Sequence, residues 1–166
     1  MICCVTGNRP FKFPFEYSAN SAIYKLYTAQ LYDIVNDLIN HGYNHFISGM
    51  ALGVDLDFAE TIISAQKIYD NIKLEIAIPH PNQTSGWKPH EISRYNSILN
   101  KADIITMVSQ HYTKWCMQKR NKYMVDCSDT IIAVWNEQKA GGTWNTIRYA
   151  KSQNKDIRYL LLNNLF

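Results

Sequence analysis

Three short glycine-bearing stretches hold most of the residues that could do chemistry in this chain. They are Thr6-Gly7-Asn8-Arg9, Ser48-Gly49-Met50-Ala51-Leu52-Gly53 and Ala140-Gly141-Gly142-Thr143. Glycine lets a ligand approach the backbone, and free N–H groups at a helix N-terminus attract an anion. Ser48 and Thr143 could add hydroxyl donors, and the forked guanidinium of Arg9 suits a phosphate. Together the three stretches predict an anion-binding pocket.

Asp55 follows the second stretch and requires a different partner. A carboxylate in the first turn of a helix would repel a phosphate, but it could accept hydrogen bonds from ribose hydroxyls or a base amine. The alternative is structural, because an acid at a helix N-terminus contributes ~0.3–1 kcal/mol without any ligand. A glycine after a parallel strand is also common where nothing binds. The recurrence of such stretches at three predicted strand ends favours a nucleotide pocket.

Strands and helices must alternate to place these stretches. The apolar runs predict strands at residues 1–6, 45–48, 73–79, 103–109, 129–135 and 156–162. Helical spacing predicts helices within residues 18–41, 54–69, 91–101, 117–127 and 143–153, with Gly42 as a left-handed C-cap. This order indicates an α/β, Rossmann-like three-layer sandwich with a mostly parallel central sheet. We expect residues 1–166 to form one domain.

The composition narrows the class of protein. The 166 residues are 46% apolar and 19% charged, which is typical of a globular domain. A net charge of +3 fits a small anionic ligand and is too weak to indicate a nucleic-acid track. No apolar run approaches the roughly 20 residues of a membrane span. We therefore expect a cytoplasmic protein that does not bind membranes.

Metal ligands are not arranged in a recognisable pattern. The four cysteines form no Cys-x-x-Cys pair and are expected to be buried, reduced thiols: Cys3, Cys4, Cys116 and Cys127. Three histidines in predicted loops, His80, His90 and His111, lack a helical i, i+4 pair and are expected at the surface. The sequence therefore predicts no metal site and no cofactor.

Three motifs in order resemble a known group: TGNRPF, ISGMALGVD, and QKRNKYMVDCSDTIIAVWN followed by GGT. They are similar to the YpsA-like branch of the SLOG superfamily, named for the DNA-processing protein DprA and the cytokinin-activating LOG enzymes. The resemblance runs from Val5 to about Leu162. It implies a Rossmann-like fold with a pocket for a nucleotide or nucleotide-derived ligand. By match to the motifs, the pocket residues are Thr6, Gly7, Arg9, Ser48, Gly49, Gly53, Asp55, Arg120, Asn121, Gly141, Gly142 and Thr143.

The resemblance also implies several biological expectations. Relatives include domains that sense ADP-ribose-type signals in bacterial antiphage systems, and some small members are carried by phages and prophages. Relatives with this fold commonly pair through helices beside the pocket, so a homodimer is expected. The leading prediction is a protein that binds an ADP-ribose-like ligand or a cyclic derivative, as a sensor or by sequestering it.

Two other functions remain open. LOG-type phosphoribohydrolases carry PGG-x-GT-x-x-E, whereas this chain reads AGGTWNTIRYA and has Asn145, Thr146 and Ile147 where an acid is expected. Hydrolysis of an N-glycosidic bond needs a positioned carboxyl group, so Asp55 would have to be the catalytic residue of an enzyme. A DprA-like nucleic-acid-binding protein is the third alternative, and the scattered Lys and Arg residues give it little support.

The role of several further side chains is also open. Arg120 could clamp a phosphate and Asn121 could read a base edge, or both could lie on a solvated basic face with Lys119 and Lys122. Four aromatic residues in loops or beside the last glycine turn could stack on a base or pack locally: Trp87, Tyr112, Trp115 and Trp144.

Overall fold

The computed structural model describes all residues from Met1 to Phe166. Its strands are β1 (Ile2–Gly7), β2 (His45–Ser48), β3 (Lys73–Ile78), β4 (Ile104–Met107), β5 (Thr130–Trp135) and β6 (Asp156–Leu161). Its helices are α1 (Ala22–Asn40), α2 (Val54–Ala65), α3 (Pro89–Leu99), α4 (Cys116–Cys127) and α5 (Gly141–Ser152), and short 3₁₀ turns occupy Pro10–Lys12 and Leu162–Asn164. Every element expected from the sequence is present.

The ends of the helices follow local chemistry. The hydroxyl of Ser21 caps α1 by accepting a hydrogen bond from the amide of Tyr24. Gly42 follows this helix with φ of +90°, the left-handed geometry expected from its position. Helix α2 ends at Ala65, four residues earlier than the apolar spacing predicted. Residues 66–69 continue as turns before β3.

The six strands form one sheet in the order β4-β3-β2-β1-β5-β6. All neighbouring pairs are parallel, so the expected α/β, Rossmann-like fold is confirmed. β1 lies in the middle, with Cys4 opposite Ile47 of β2 and opposite Ile131 of β5. β2, β3 and β4 follow one another outward from one edge of β1, and β5 and β6 follow outward from its other edge. The order of strands therefore reverses between β1 and β5.

Helices cover both faces of the sheet. Side chains of α1, α2 and α3 share one core with Cys3 and Val5 of β1. Cys4, between those two residues, belongs to the opposite core with Met124 and Val125 of α4. This alternation is the period of a strand, in which successive side chains point to opposite faces. Because helices pack against both of these faces, the structure is a three-layer sandwich.

Several of the eleven tyrosines join α1 to α2. The hydroxyls of Tyr17, Tyr24 and Tyr27 donate to the carboxylate of Asp57 at 2.6, 2.9 and 3.0 Å. Arg94 of α3 donates to the same carboxylate at 2.7 Å. Burial raises the pKa of the Tyr27 hydroxyl, and the neighbouring Asp57 raises it further. We call these five residues the Asp57 cluster.

Two expectations about polar side chains were wrong. Cys127 is exposed, because it is the last residue of α4 and the chain leaves the helix there for β5; the other three cysteines are buried. His80 is buried rather than at the surface, since the segment after β3 stays covered, and its ring packs edge-on against Tyr112 at 5.2 Å. His90 and His111 are exposed as expected.

None of the helices combines the length and the apolar character that a membrane span requires.

Candidate functional site

A cleft of about 230 Å³ opens at the carboxyl ends of β1 and β5. This is the point at which the strand order reverses, where open α/β sheets bind their ligands. Four segments enclose it: the end of β1 with the following 3₁₀ turn, the start of α2, one face of α4, and the first turn of α5. The fold thus brings the first and third glycine stretches together.

The predicted site residues divide into two groups. Eight line the cleft: Thr6, Gly7, Arg9, Asp55, Arg120, Asn121, Gly142 and Thr143. The other four, Ser48, Gly49, Gly53 and Gly141, do not line it. Most of the second glycine stretch therefore lies behind the cleft wall.

The turn between β2 and α2 uses its own polar groups. The buried hydroxyl of Ser48 donates to the carbonyl of Asp55 at 2.7 Å and accepts from the amide of Met50 at 3.2 Å. The amide of Ala51 donates to the carboxylate of Asp55, also at 3.2 Å. These amides are therefore already bonded within the protein, and they are not free to hold a phosphate.

Gly49 makes room for an arginine. A Cβ at this position would overlap the guanidinium of Arg120, which donates to the carbonyl of Gly49 through Nη1. The side-chain amide of Gln83 donates to the same carbonyl at 2.9 Å. The close approach of Arg120 from α4 therefore explains why residue 49 is a glycine, and no ligand is needed to account for it.

Arg120 and Asp55 form a buried pair at the floor of the cleft. Their Nη1 and Oδ2 atoms are 3.6 Å apart, and the residues are only 4% and 7% exposed. Burial raises the pKa of the Asp55 carboxyl, and Arg120, the Ala51 amide and Arg9 oppose the rise. Burial lowers the pKa of Arg120, and Asp55 opposes that change. The interpretation of Arg120 as part of a solvated basic face is therefore wrong.

Asn121 holds Arg120 in place. Its Oδ1 accepts from Arg120 Nε at 2.8 Å, and its Nδ2 donates to the hydroxyl of Thr146 at 2.9 Å. Its neighbours Lys119 and Lys122 are exposed, as the solvated-face interpretation expected. Asn121 therefore links the cleft floor to α5 as well as lining the cleft.

The turn between β5 and α5 is open. No side chain caps α5, and its N-cap residue is Ala140. A Cβ added at Gly142 would meet no atom within 4 Å. Thr143, in the same first turn, lines the cleft beside it. This helix N-terminus can therefore offer backbone N–H groups to an anion in the cleft.

Sequence reasoning missed several residues of the cleft. The 3₁₀ turn contributes Phe11, which is 81% exposed, and Lys12. Asn8 supports this segment by accepting from the amide of Asn136 at 2.8 Å, and Met117 enters from α4. The proline at the start of PFK was the available signal, because proline favours the first position of a helical turn. Neither Arg9 nor Lys12 forms a direct ion pair, although Arg9 is close enough to Asp55 to oppose the rise in the pKa of that carboxyl.

Two of the four aromatic candidates are occupied by protein contacts. Trp144 stacks on Trp135 with ring centroids 5.4 Å apart and planes at 9°. Trp87 packs edge-on against Tyr95 at 5.6 Å. Tyr112 is 70% exposed beside His80, and Trp115 is 61% exposed at the start of α4. Trp115 is therefore the indole best placed to meet a ligand.

No group of three or more His, Cys, Asp and Glu side chains is arranged to hold an ion.

The fold and the cleft together define a Rossmann-like protein with a crevice at its switch point. The model of the YspA SLOG family matches residues 3–165, nearly the whole chain. The chain belongs to this family, and SLOG domains are nucleotide-binding domains.

Similar curated proteins come from bacilli. UPF0398 proteins of Bacillus thuringiensis (strain Al Hakam) and Bacillus cereus (strain Q1) are 27% identical over 163 residues. The similarity covers 95% of this chain and 86% of each relative.

Proposed function

We propose that this protein binds a phosphorylated ribonucleoside of the ADP-ribose type, or a cyclic derivative, and acts as a sensor or by sequestering the ligand. The observation that carries the proposal is the meeting of Arg9 and Lys12 with the uncapped N-terminus of α5 in one cleft. Positive side chains and free N–H groups converge there on a volume suited to a phosphate. Membership of a nucleotide-binding superfamily supports a nucleotide as the bearer of that phosphate.

Each group has a distinct role in this proposal. The amides of the α5 first turn and the hydroxyl of Thr143 bind the phosphates, with Arg9 and Lys12 neutralising their charge. Gly142 keeps the approach to these amides clear. Asp55 has one carboxylate oxygen bonded to Ala51, so its remaining acceptor capacity faces the ribose.

The enzymatic alternative depends on one residue. Asp55 is the only carboxylate that lines the cleft. It is held by Arg120 and the turn before α2, so an Asp55→Asn variant would disturb the fold as well as any chemistry. Direct analysis of what the protein does to its ligand is therefore a better test than that substitution.

The experiment is equilibrium ultrafiltration with AMP, NAD, ADP-ribose and cyclic ADP-ribose isomers, followed by release with heat and mass spectrometry. We expect one compound to be retained intact in stoichiometric amount. Arg9→Gln, which removes an unpaired cation from the cleft, should weaken retention, whereas the matched exposed variant Arg148→Gln on the far part of α5 should not.

Two results would contradict the proposal. Recovery of a free base with a ribose phosphate would show an N-glycoside hydrolase. Retention of none of these compounds at millimolar concentration would show that the cleft does not bind this class of nucleotide.

A further inference from the structure

A second cavity of about 250 Å³ lies between α4 and α5. Met117, Asn121 and Gly142 line both this cavity and the cleft, so the two spaces meet at these residues. Each is smaller than the ~300–1,000 Å³ typical of small-molecule pockets, and only together do they reach that range. A ligand that spans both would pass directly over Gly142, the glycine with no neighbouring atoms in front of it.

The second cavity differs from the cleft in its chemistry. Its cations lie over aromatic rings: Lys114 Nζ is 5.0 Å from the ring centre of Trp115, and Lys122 Nζ is 5.1 Å from that of Tyr149. Its walls carry the side-chain amides of Gln118, Asn121 and Asn145 and the hydroxyl of Thr146; Asn121 and Thr146 are already bonded to each other, which leaves Gln118 and Asn145 to meet a ligand. No carboxylate lines it. Amides and aromatic rings suit a flat heterocycle that carries both hydrogen-bond donors and acceptors.

We propose that this cavity is the base subsite of the ligand, with Trp115 as its stacking platform. The inference rests on the proposed nucleotide function and adds the orientation of the ligand across the two spaces. The base stacks on Trp115 and meets the amide of Asn145, the phosphates cross Gly142 at the start of α5, and a second pentose reaches Asp55 in the cleft. Asn145 occupies the region where an acid was expected by analogy with phosphoribohydrolases, and here it faces the base.

This arrangement selects one class of ligand. A nucleoside diphosphate that bears a second sugar fills both spaces, whereas a nucleoside monophosphate fills the base subsite and leaves the floor at Asp55 empty. A ribose phosphate without a base fills only the cleft. Affinity should therefore rank ADP-ribose above AMP and above ribose 5-phosphate.

The test compares Trp115→Ala, Trp115→Phe and the control Tyr112→Ala by isothermal titration with ADP-ribose and with ribose 5-phosphate. Tyr112 is an exposed aromatic residue of the same loop that lines neither space. Loss of base stacking should lower the ADP-ribose affinity of Trp115→Ala about tenfold or more. Its affinity for ribose 5-phosphate should not change, and Trp115→Phe should restore much of the loss.

The outcomes separate this inference from the proposed function. If wild type binds ADP-ribose and Trp115→Ala binds it equally well, the base subsite is elsewhere and the proposed function stands. If Trp115→Ala loses affinity for both compounds in the same proportion, Trp115 acts on the cleft and the subsite is refuted. If wild type binds neither compound at millimolar concentration, the base subsite is refuted, and the proposed function is then decided by the retention of the other nucleotides.

Discussion

The N-termini of α2 and α5 flank the same cleft, and both begin after a glycine-bearing turn at the end of a parallel strand. They differ in what surrounds them. Around α2, the amides of Met50 and Ala51 are bonded by Ser48 and Asp55, and Asp55 is paired with Arg120. Neither helix has a side-chain cap, but around α5 Gly142 faces open space. One turn is closed by its own side chains, and the other is available to a ligand.

The difference shows that a glycine turn is not by itself an anion site. The α2 turn carries the hydroxyl and the acid that make a sequence look functional, and these same groups bond two of its amides, those of Met50 and Ala51. The α5 turn has Ala140 at its cap position, whose amide donates to the carbonyl of Gln138, and the amides of Gly141, Gly142 and Thr143 in the first turn are left for a ligand. We call these the closed turn (residues 48–53) and the open turn (residues 140–143). Substitutions at equivalent places in the two turns should separate stability from binding.

The largest difference is expected between Gly49→Ala and Gly142→Ala. A methyl group at Gly49 would displace the guanidinium of Arg120 from Asp55. Breaking a buried ion pair typically costs about 3–5 kcal/mol, so Gly49→Ala should lower the free energy of unfolding by that amount. Urea unfolding followed by circular dichroism measures it.

Gly142→Ala is the matched control. A methyl group there meets nothing, and alanine favours a helix, so the free energy of unfolding should stay the same or rise by up to about 1 kcal/mol. Equal destabilisation by the two substitutions would remove the distinction between a closed and an open turn.

The Asp57 cluster involves α2, the helix that follows the closed turn. Its tyrosines predict a loss of stability at alkaline pH. The pKa of Tyr27 is raised in the folded protein, so above pH ~10 the unfolded chain releases this proton while the folded chain retains it. The stability from this group is complete below pH ~10 and falls by about 1.4 kcal/mol per pH unit above it. Tyr17 and Tyr24 are shifted in the same direction and steepen the loss.

Tyr27→Phe tests the predicted direction in which stability changes with pH. The variant lacks the hydroxyl that titrates, so its free energy of unfolding should decline less steeply than that of wild type between pH 10 and 11. Urea unfolding at pH 8, 10 and 11 gives both slopes. Parallel slopes for the two proteins would show that Tyr27 titrates alike in the folded and unfolded chains.

The hydroxyls of the two turns should also differ in what they contribute to stability. Ser48→Ala leaves the amide of Met50 and the carbonyl of Asp55 without their partner inside the protein, which should cost about 1–3 kcal/mol. Thr143→Val keeps the shape of its side chain and should change the free energy of unfolding by about 0.5 kcal/mol or less.

Binding should show the reverse order. Loss of a hydrogen bond to a phosphate should weaken retention of ADP-ribose by Thr143→Val about tenfold. Ser48→Ala, compared below its unfolding temperature, should retain the ligand as wild type does. A stronger binding defect in Ser48→Ala than in Thr143→Val would move the phosphate site to the closed turn.

The sequence was sufficient for the fold because its strands are short apolar runs separated by helices with a regular apolar face. It was also sufficient to predict that the β1 and β5 turns lie together, since the carboxyl ends of parallel strands meet at one edge of a sheet. The role of Gly49 could not be predicted. It depends on Arg120, which is distant in the chain and arrives only through the packing of α4.

The second cavity was hidden for a similar reason. Trp115 was one of four aromatic candidates, and only tertiary packing shows that Trp87 and Trp144 are covered by other rings. Met117 and Tyr149 come from different helices, and no spacing along the chain indicates that α4 and α5 leave a space between them. Which rings are covered and where a cavity forms depend on how the helices and strands pack against one another, rather than on the elements themselves.

The central place of β1 has a consequence for how the protein is made. β1 is synthesised before the other five strands of the sheet, yet one of its two neighbours, β5, follows only after β2, β3 and β4. At roughly 5–20 residues per second, translation separates the two by on the order of ten seconds. During that time β1 can pair with β2 alone, and one of its edges has no partner. The crevice between β1 and β5 therefore forms only after β5 has been synthesised, later than the pairing of β1 with β2.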